Sequence, residues 1–168
     1  MLNNFNKNFK FLAMVTMISL SAATYSEESY YGGSFSSVDI RGLGDGPTLN
    51  ATVGRFGSKI IKNISGEFRL GMGHGANSGN IELDYLIGAY LKIGSTTNSV
   101  NPYFILGLTK GKISAGNDSY SKGDASWGFG VDFGAVEAGS FAVEYVNYMD
   151  KRHGFEVNGL SVGFTTIF

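Results

Sequence analysis

The segment IELDYLIGAYLKI, residues 81–93, sorts its side chains by parity. Ile81, Leu83, Tyr85, Ile87, Ala89, Leu91 and Ile93 form an uncharged, mostly apolar set, while the other parity carries Glu82, Asp84 and Lys92 together with Gly88. A period of two is the signature of a strand whose faces meet different surroundings. The separation recurs at Ile64, Gly66, Phe68, Leu70 and Met72 against Glu67 and Arg69. It recurs again at Ala125, Trp127, Phe129, Val131 and Phe133 against Ser126, Gly128, Gly130 and Asp132. Phe141, Val143 and Tyr145 stand against Glu144, and Leu160, Val162, Phe164, Thr166 and Phe168 form a fifth uncharged face.

Turn-forming clusters divide the chain into eight predicted strands at 29–40, 49–57, 63–73, 80–94, 102–114, 125–135, 140–149 and 157–168. Strands of about ten tilted residues span the hydrocarbon of a bilayer. No 3.6-residue stripe persists and no internal repeat interrupts the series. Arg55, Lys110 and Lys112 lie in strands whose alternation is not clean, so their faces stay unassigned.

The segment before the first strand has a different character. Lys7 and Lys10 precede the short apolar run FLAMVTMISLSAA, which ends in the small residues Ser21, Ala22 and Ala23. That order predicts a signal peptide over 1–23, cleaved after Ala23, and a single domain over 24–168. The run is too short for a spanning helix. Its removal leaves eleven basic against fourteen acidic residues.

Two closed barrels fit eight such strands. A lipocalin-like barrel turns its apolar parity inward around a ligand. A membrane barrel turns the apolar parity to lipid and the polar one to its lumen. Three features select the membrane barrel: a polar parity rich in glycine, serine and scattered charge; an even strand count with both ends on one side; and aromatics near the predicted lower strand ends. Those aromatics are Tyr30, Tyr31, Phe56, Tyr103, Phe133, Phe141 and Phe168, read as an interfacial girdle. Ile81, Leu83, Tyr85, Ile87, Leu91 and Ile93 are then expected to face lipid. Glu67, Arg69, Glu82, Asp84, Lys92, Asp132 and Glu144 are expected to face the lumen.

Composition supports an all-β chain. Glycine contributes 25 of 168 residues, aromatics 14%, and proline only two residues. The absence of cysteine rules out disulfides and thiolate metal sites. A net charge near zero gives no electrostatic basis for nucleic-acid binding.

The C-terminus LSVGFTTIF ends in an aromatic, with Phe164, Val162 and Leu160 at alternate positions and Thr166 where a tyrosine is common. With VGRFG, ISGEFRLGMG, WGFGVDFG and FAVEYVNY, it resembles small bacterial outer-membrane β-barrel proteins of the OmpA/OmpX type, across the whole mature chain. The resemblance implies an all-β, eight-stranded antiparallel transmembrane barrel in the bacterial outer membrane. It further implies contact with outer-membrane lipids and lipopolysaccharide, recognition of the C-terminus by the barrel-assembly machinery, and a monomer. The family includes adhesins and envelope-integrity proteins, so the function expected is structural or surface-interacting rather than enzymatic.

Candidate chemistry is sparse. An eight-stranded lumen is just filled by side chains, so its charges are expected to pair as a structural plug; a narrow conduit is the competing reading. Some small barrels modify lipid A through a His–Ser pair. The only histidines here, His74 and His153, fall in predicted loops, and the stretch from His153 through Glu156 to Ser161 lacks the compact motif. Two histidines without a third ligand do not define a metal site. The pairs Gly42/Gly44 and Gly71/Gly73 precede no helix and are read as turn or bend glycines. No catalytic, cofactor-binding or metal-binding residue is therefore assigned, and no cofactor is expected. Binding is expected in the loops 41–48, 74–79, 115–124 and 150–156, the third being the longest and carrying Tyr120. Lys151 and Arg152 are candidates for pairing with lipopolysaccharide phosphates.

Overall fold

The computed structural model describes residues 28–42, 47–74, 81–95, 99–134, 139–150 and 154–168. The predicted leader, Lys151, Arg152 and His153 lie outside the described residues, as does the predicted loop after His74. Eight strands close into one antiparallel barrel in chain order, with β8 returning to β1. They are β1 (Ser29–Arg41), β2 (Thr48–Ile61), β3 (Ile64–His74), β4 (Ile81–Gly94), β5 (Val100–Ala115), β6 (Asp118–Phe133), β7 (Ser140–Met149) and β8 (Glu156–Ile167). The start of β1 and the end of β8 share the lower end; Tyr30 stands opposite Ile167. Closure satisfies the strand edges that a hydrocarbon medium would leave unpaired.

The outer wall carries an apolar band. It runs through Tyr31 and Phe35 on β1, Leu70 and Met72 on β3, Leu91 and Ile93 on β4, Phe104 and Leu106 on β5, Trp127 and Phe129 on β6, and Leu160 and Val162 on β8, all exposed. At its lower margin Phe168 packs against Tyr31 and Phe56 with centroids 5.7 and 6.1 Å apart, and Phe141 meets Phe164 at 5.3 Å. These rings form the expected girdle. Tyr30 and Tyr103 do not belong to it: their parity is the lumen, where their hydroxyls meet Glu67 and Glu144.

The alternation changes meaning above the band. There the outward positions become Asp39, Asn50, Lys110 and Lys112, while their inward neighbours are Val38, Ile40, Leu49 and Ile113, all buried. Water or headgroups outside reverse the sorting that lipid imposes below.

Two elements differ from the sequence-based boundaries. β2 continues four residues beyond the predicted end, through SKII, with a register shift between Lys59 and Ile61. More consequentially, the predicted polar loop 115–124 is mostly strand. β5 and β6 pair continuously from Val100↔Phe133 to Ala115↔Asp118, leaving only Gly116 and Asn117 as the turn. Gly116 has φ +62°, which suits the first central position of a two-residue hairpin turn. The Gly-Asn pair was the available signal; the serines and charges around it suggested a loop because this hairpin rises above the lipid band, where polar residues cover both sides of its tip.

β4 supplies the second correction. Its pairing with β5 shifts between Leu83 and Tyr85. A bulge inserts one residue and reverses parity beyond it. Leu83 is consequently turned inward and 3% exposed, rather than facing lipid, and Ile81 packs against the core. Asp84 turns out of the lumen, where it accepts from Lys112 Nζ at 2.9 Å and from Ser114 Oγ at 3.0 Å. Glu82, opposite Ser114, is likewise exposed outside. Tyr85, Ile87, Leu91 and Ile93, below the shift, keep the outward parity.

Candidate functional site in the barrel lumen

The lumen has three layers. The lowest is a small vestibule of about 90 Å³, open at the lower end; Tyr30, Lys92, Asn101, Tyr103, Asp132 and Thr165 contribute to its walls. Lys92 forms an ion pair with Asp132 and lies 4.0 Å from the centroid of the Tyr103 ring. Asp132 Oδ2 takes that bond, while its buried Oδ1 has no hydrogen-bond partner.

The middle layer is a buried ion network. Arg69 on β3 is its hub. Its Nε donates to Glu67 two residues earlier, and its guanidinium grips Glu144 of β7 from across the lumen, with Nη2 to Oε2 at 2.8 Å. Glu67 and Glu144 are 0% and 1% exposed. Two-pronged guanidinium–carboxylate geometry is the strong form of such a pair. Each carboxylate gains a tyrosine: Tyr30 donates to Glu67 Oε2 at 2.9 Å and Tyr103 to Glu144 Oε2 at 2.8 Å. Arg69 also lies 4.8 Å from the centroid of Tyr90. Removing one member of such a network leaves a buried charge uncompensated, at a cost of about 3–5 kcal/mol.

Arg55, unassigned in the sequence reading, belongs to this layer. Its Nη2 donates to Ser34 Oγ at 3.2 Å and stands 3.8 Å from Glu144 Oε1, while Nε and Nη1 have no hydrogen-bond partner. Lys110 and Lys112 take the opposite parity, on the outer wall. Among the described residues, the charges held inside the two lower layers are thus Arg55, Arg69 and Lys92 against Glu67, Asp132 and Glu144, with the more exposed Lys59–Glu28 pair at the vestibule mouth. Positive and negative groups balance, which lets a low-dielectric interior hold them.

Glycines on the same parity make room for the tyrosines. A Cβ on Gly57 would stand 2.2 Å from the Tyr30 ring, and one on Gly130 would stand 2.5 Å from that of Tyr103. The glycine-rich polar parity is therefore the complement of large inward rings.

Above the ions a hydroxyl relay closes the polar region. Tyr90 pairs with Thr109, Thr109 Oγ1 lies 2.6 Å from Ser126 Oγ, and Ser126 donates to the carbonyl of Tyr148 at 3.0 Å. The third layer is apolar: Val38, Ile40, Leu49, Ile113, Met149 and Val157 are each at most 2% exposed and belong to one cluster. Phe155 adds to it, and Lys122 reaches over its ring to the carbonyl of Phe155 at 3.0 Å. This plug was not anticipated, because the sequence reading gave the lumen only polar residues.

Of the seven charges expected in the lumen, Glu67, Arg69, Lys92, Asp132 and Glu144 come together there, and Glu82 and Asp84 do not. His74 lies exposed, with Nε2 2.6 Å from Thr52 Oγ1. Ser161 lies buried and donates to the carbonyl of Glu144 at 3.4 Å. Among the described residues no group of three His, Asp or Glu side chains is arranged to hold a metal ion.

The architecture has solved counterparts. Ail, the attachment invasion locus protein of Yersinia pestis, is 17% identical, with a TM-score of 0.59 over 85% of this chain and 99% of that one. Neisserial surface protein A is 16% identical, with a TM-score of 0.60 over 83% and 97% of the two chains. The N-terminal β-barrel domain of Pseudomonas aeruginosa OprF is 15% identical, with a TM-score of 0.53 over 80% and 96%. A search of curated proteins finds no match. The model of the outer membrane protein β-barrel domain matches residues 11–168. The chain belongs to that family, as an eight-stranded barrel of the bacterial outer membrane.

Proposed function

We propose that this protein is a non-enzymatic barrel with a sealed lumen, which carries an outward rim for structural or surface contacts in the outer membrane. The observation that carries the reading is an apolar plug stacked above a charge-balanced ion network, with a hydroxyl relay between them. An ion crossing the lumen would have to displace Arg69 from two carboxylates and then pass a layer of closely packed aliphatic side chains, and both steps are unfavourable. This disfavours the competing conduit, although the vestibule below admits water.

In this reading residues 1–23 are a cleaved leader, the termini stay on the periplasmic side, and the upper rim faces outward. The barrel-assembly machinery recognises the Phe168 end, and the barrel works as a monomer. Lipopolysaccharide surrounds the upper wall, where the outward side chains turn from apolar to polar. The fold shared with a protein named for attachment and invasion is consistent with a contact role.

Planar-bilayer recording tests the sealed lumen. The wild-type barrel is expected to give no discrete current steps in concentrated potassium chloride. Steady openings that change on replacing Arg69 would overturn the reading in favour of a channel. Lipid A mass spectra with and without expression are expected to be identical; a modified lipid would establish an enzyme instead.

A further inference from the structure

Side chains tie the upper rim where the ladder between two strands stops. Among the described residues, β6 and β7 pair upward only as far as Trp127↔Asn147. Lys122 and Asp124 lie higher on β6 and share the inward parity of the buried Ser126. They bind the end of β7 in place of the ladder. Asp124 Oδ2 accepts the N–H of Asp150 at 3.1 Å, and Lys122 Nζ donates to the carbonyl of the same residue. Side chains of β6 thus hold both backbone groups of Asp150.

The same ammonium reaches past β7. Lys122 Nζ donates to the carbonyl of Phe155 at 3.0 Å and lies 5.3 Å from the centroid of that ring. Phe155 immediately precedes β8, so this bond bridges β6 to β8 at the mouth of the lumen. From the other side the end of β1 closes in. A Cβ on Gly42, whose φ is +96°, would stand 2.7 Å from the carbonyl oxygen of Gly154 and 3.4 Å from Phe155 Cα. The Phe155 ring is buried and belongs to the same apolar cluster as Ile40 and Val157.

An ammonium has three N–H donors. Two go to the carbonyls of Asp150 and Phe155, and Asp124 Oδ2 stands 3.2 Å away as the third neighbour. The Lys122 side chain is only 10% exposed. A rim lysine would ordinarily extend its head into water. This one gives up most of that hydration, which is favourable only because its partners are complete. The ion pair with Asp124 alone would not require the reach to Phe155.

We propose that Lys122 is the latch of the upper seal: its ammonium holds Phe155 as a lid on the aliphatic plug, so that neutralising this one charge opens the plug to the upper side. This rests on the reading of the lumen as sealed. Lys122 acts through Phe155 and is a positioning residue. The ion network below does not depend on it, so a barrel with the latch released still carries no current. The seal is therefore controlled from the upper rim through a single amine.

The test uses the full barrel in lipid vesicles, carrying Val157→Cys and exposed to a small charged maleimide from the upper side. Val157 is buried on β8 just past Phe155, and the substitution changes little volume. With Lys122 intact the cysteine is expected to stay unlabelled in the folded barrel. Lys122→Met keeps the aliphatic stem and removes the charge, so labelling should accelerate at least tenfold while the heat-dependent gel shift persists. Lys122→Arg should restore slow labelling. Asp124→Asn is milder and should give an intermediate rate, and it carries the test should Lys122→Met fail to fold. Lys112→Met, which removes a charge from the outer wall, should leave the rate unchanged. Labelling as slow in the folded Lys122→Met and Asp124→Asn barrels as in the parent overturns the latch. Equal acceleration by Lys112→Met also overturns it, because the effect would then be a general loosening. Rapid labelling with Lys122 intact would refute the sealed lumen and the latch with it, whereas the other two failures leave the sealed lumen standing.

Discussion

The lower and upper halves of the lumen hold the same barrel closed by opposite means. Below, six inward charges and the tyrosines beside them fill a space lined with glycine, each charge oriented by a partner on another strand or two residues away. Above, aliphatic side chains pack as they would in a soluble core. The outer wall changes in the opposite sense, from Leu70, Leu91 and Phe129 to Asp39, Asn50 and Lys112. Where the surroundings are lipid, the polar residues must go inside. Where they are aqueous, the apolar ones go inside. A single period-two pattern therefore encodes a membrane barrel and, above it, the base of a water-soluble sheet.

The largest effect is expected from breaking the lower half at its hub. Arg69→Met leaves Glu67 buried without its bonded cation and Glu144 with only Arg55 beside it, and should lower stability by about 3–5 kcal/mol, read as the urea midpoint in lipid vesicles. Adding Glu144→Gln should return part of that loss; a strictly additive double variant would show that the two residues do not act as a pair.

In the upper half Leu49→Ala should cost about 2–5 kcal/mol through the cavity it leaves. A change below 1 kcal/mol would mean that the plug is loosely packed.

The wall sharpens the contrast. Leu91→Lys places a charge within the lipid band and should cost about 2–4 kcal/mol, depending on depth. Glu82→Lys, outside and above that band, should stay within about 0.5 kcal/mol. Equal penalties at the two sites would place both in the same medium, against the boundary drawn here. Gly130→Val tests the fit of ring to glycine: its side chain would collide with Tyr103, and overpacking of this kind costs about 1–3 kcal/mol. Tyr103→Ala should relieve part of the clash.

The barrel itself was legible because five strands carry uninterrupted alternation and the chain ends in an aromatic on the apolar parity. Arg69 with Glu67 was legible for the same reason, since they sit two apart on one face. Their partner Glu144 shared the polar parity of its own strand, but no local feature of the sequence links β3 to β7 across a lumen. Asp84 and Glu82 were misplaced because a one-residue bulge leaves no mark in the alternation of IELDYLIGAYLKI beyond the change itself. The plug escaped notice for a subtler reason: Val38, Ile40 and Ile113 occupy the inward parity that lower in the same strands holds serine, glycine and tyrosine. Parity alone does not reveal the height at which the outer medium changes.

The central claim is that the lumen is blind, open below and sealed above. Cysteine accessibility tests it most directly, because the native chain contains no cysteine. Single variants at Ser65 and Asn101 in the vestibule, Thr109 in the hydroxyl layer and Leu49 in the plug would be reconstituted and exposed to a small charged maleimide from one side at a time. The account predicts labelling of Ser65→Cys and Asn101→Cys from the end bearing the termini, and none of Thr109→Cys or Leu49→Cys from the opposite end. Labelling of Thr109→Cys from that opposite end, in a fully folded barrel, would show that the plug is open and contradict the account.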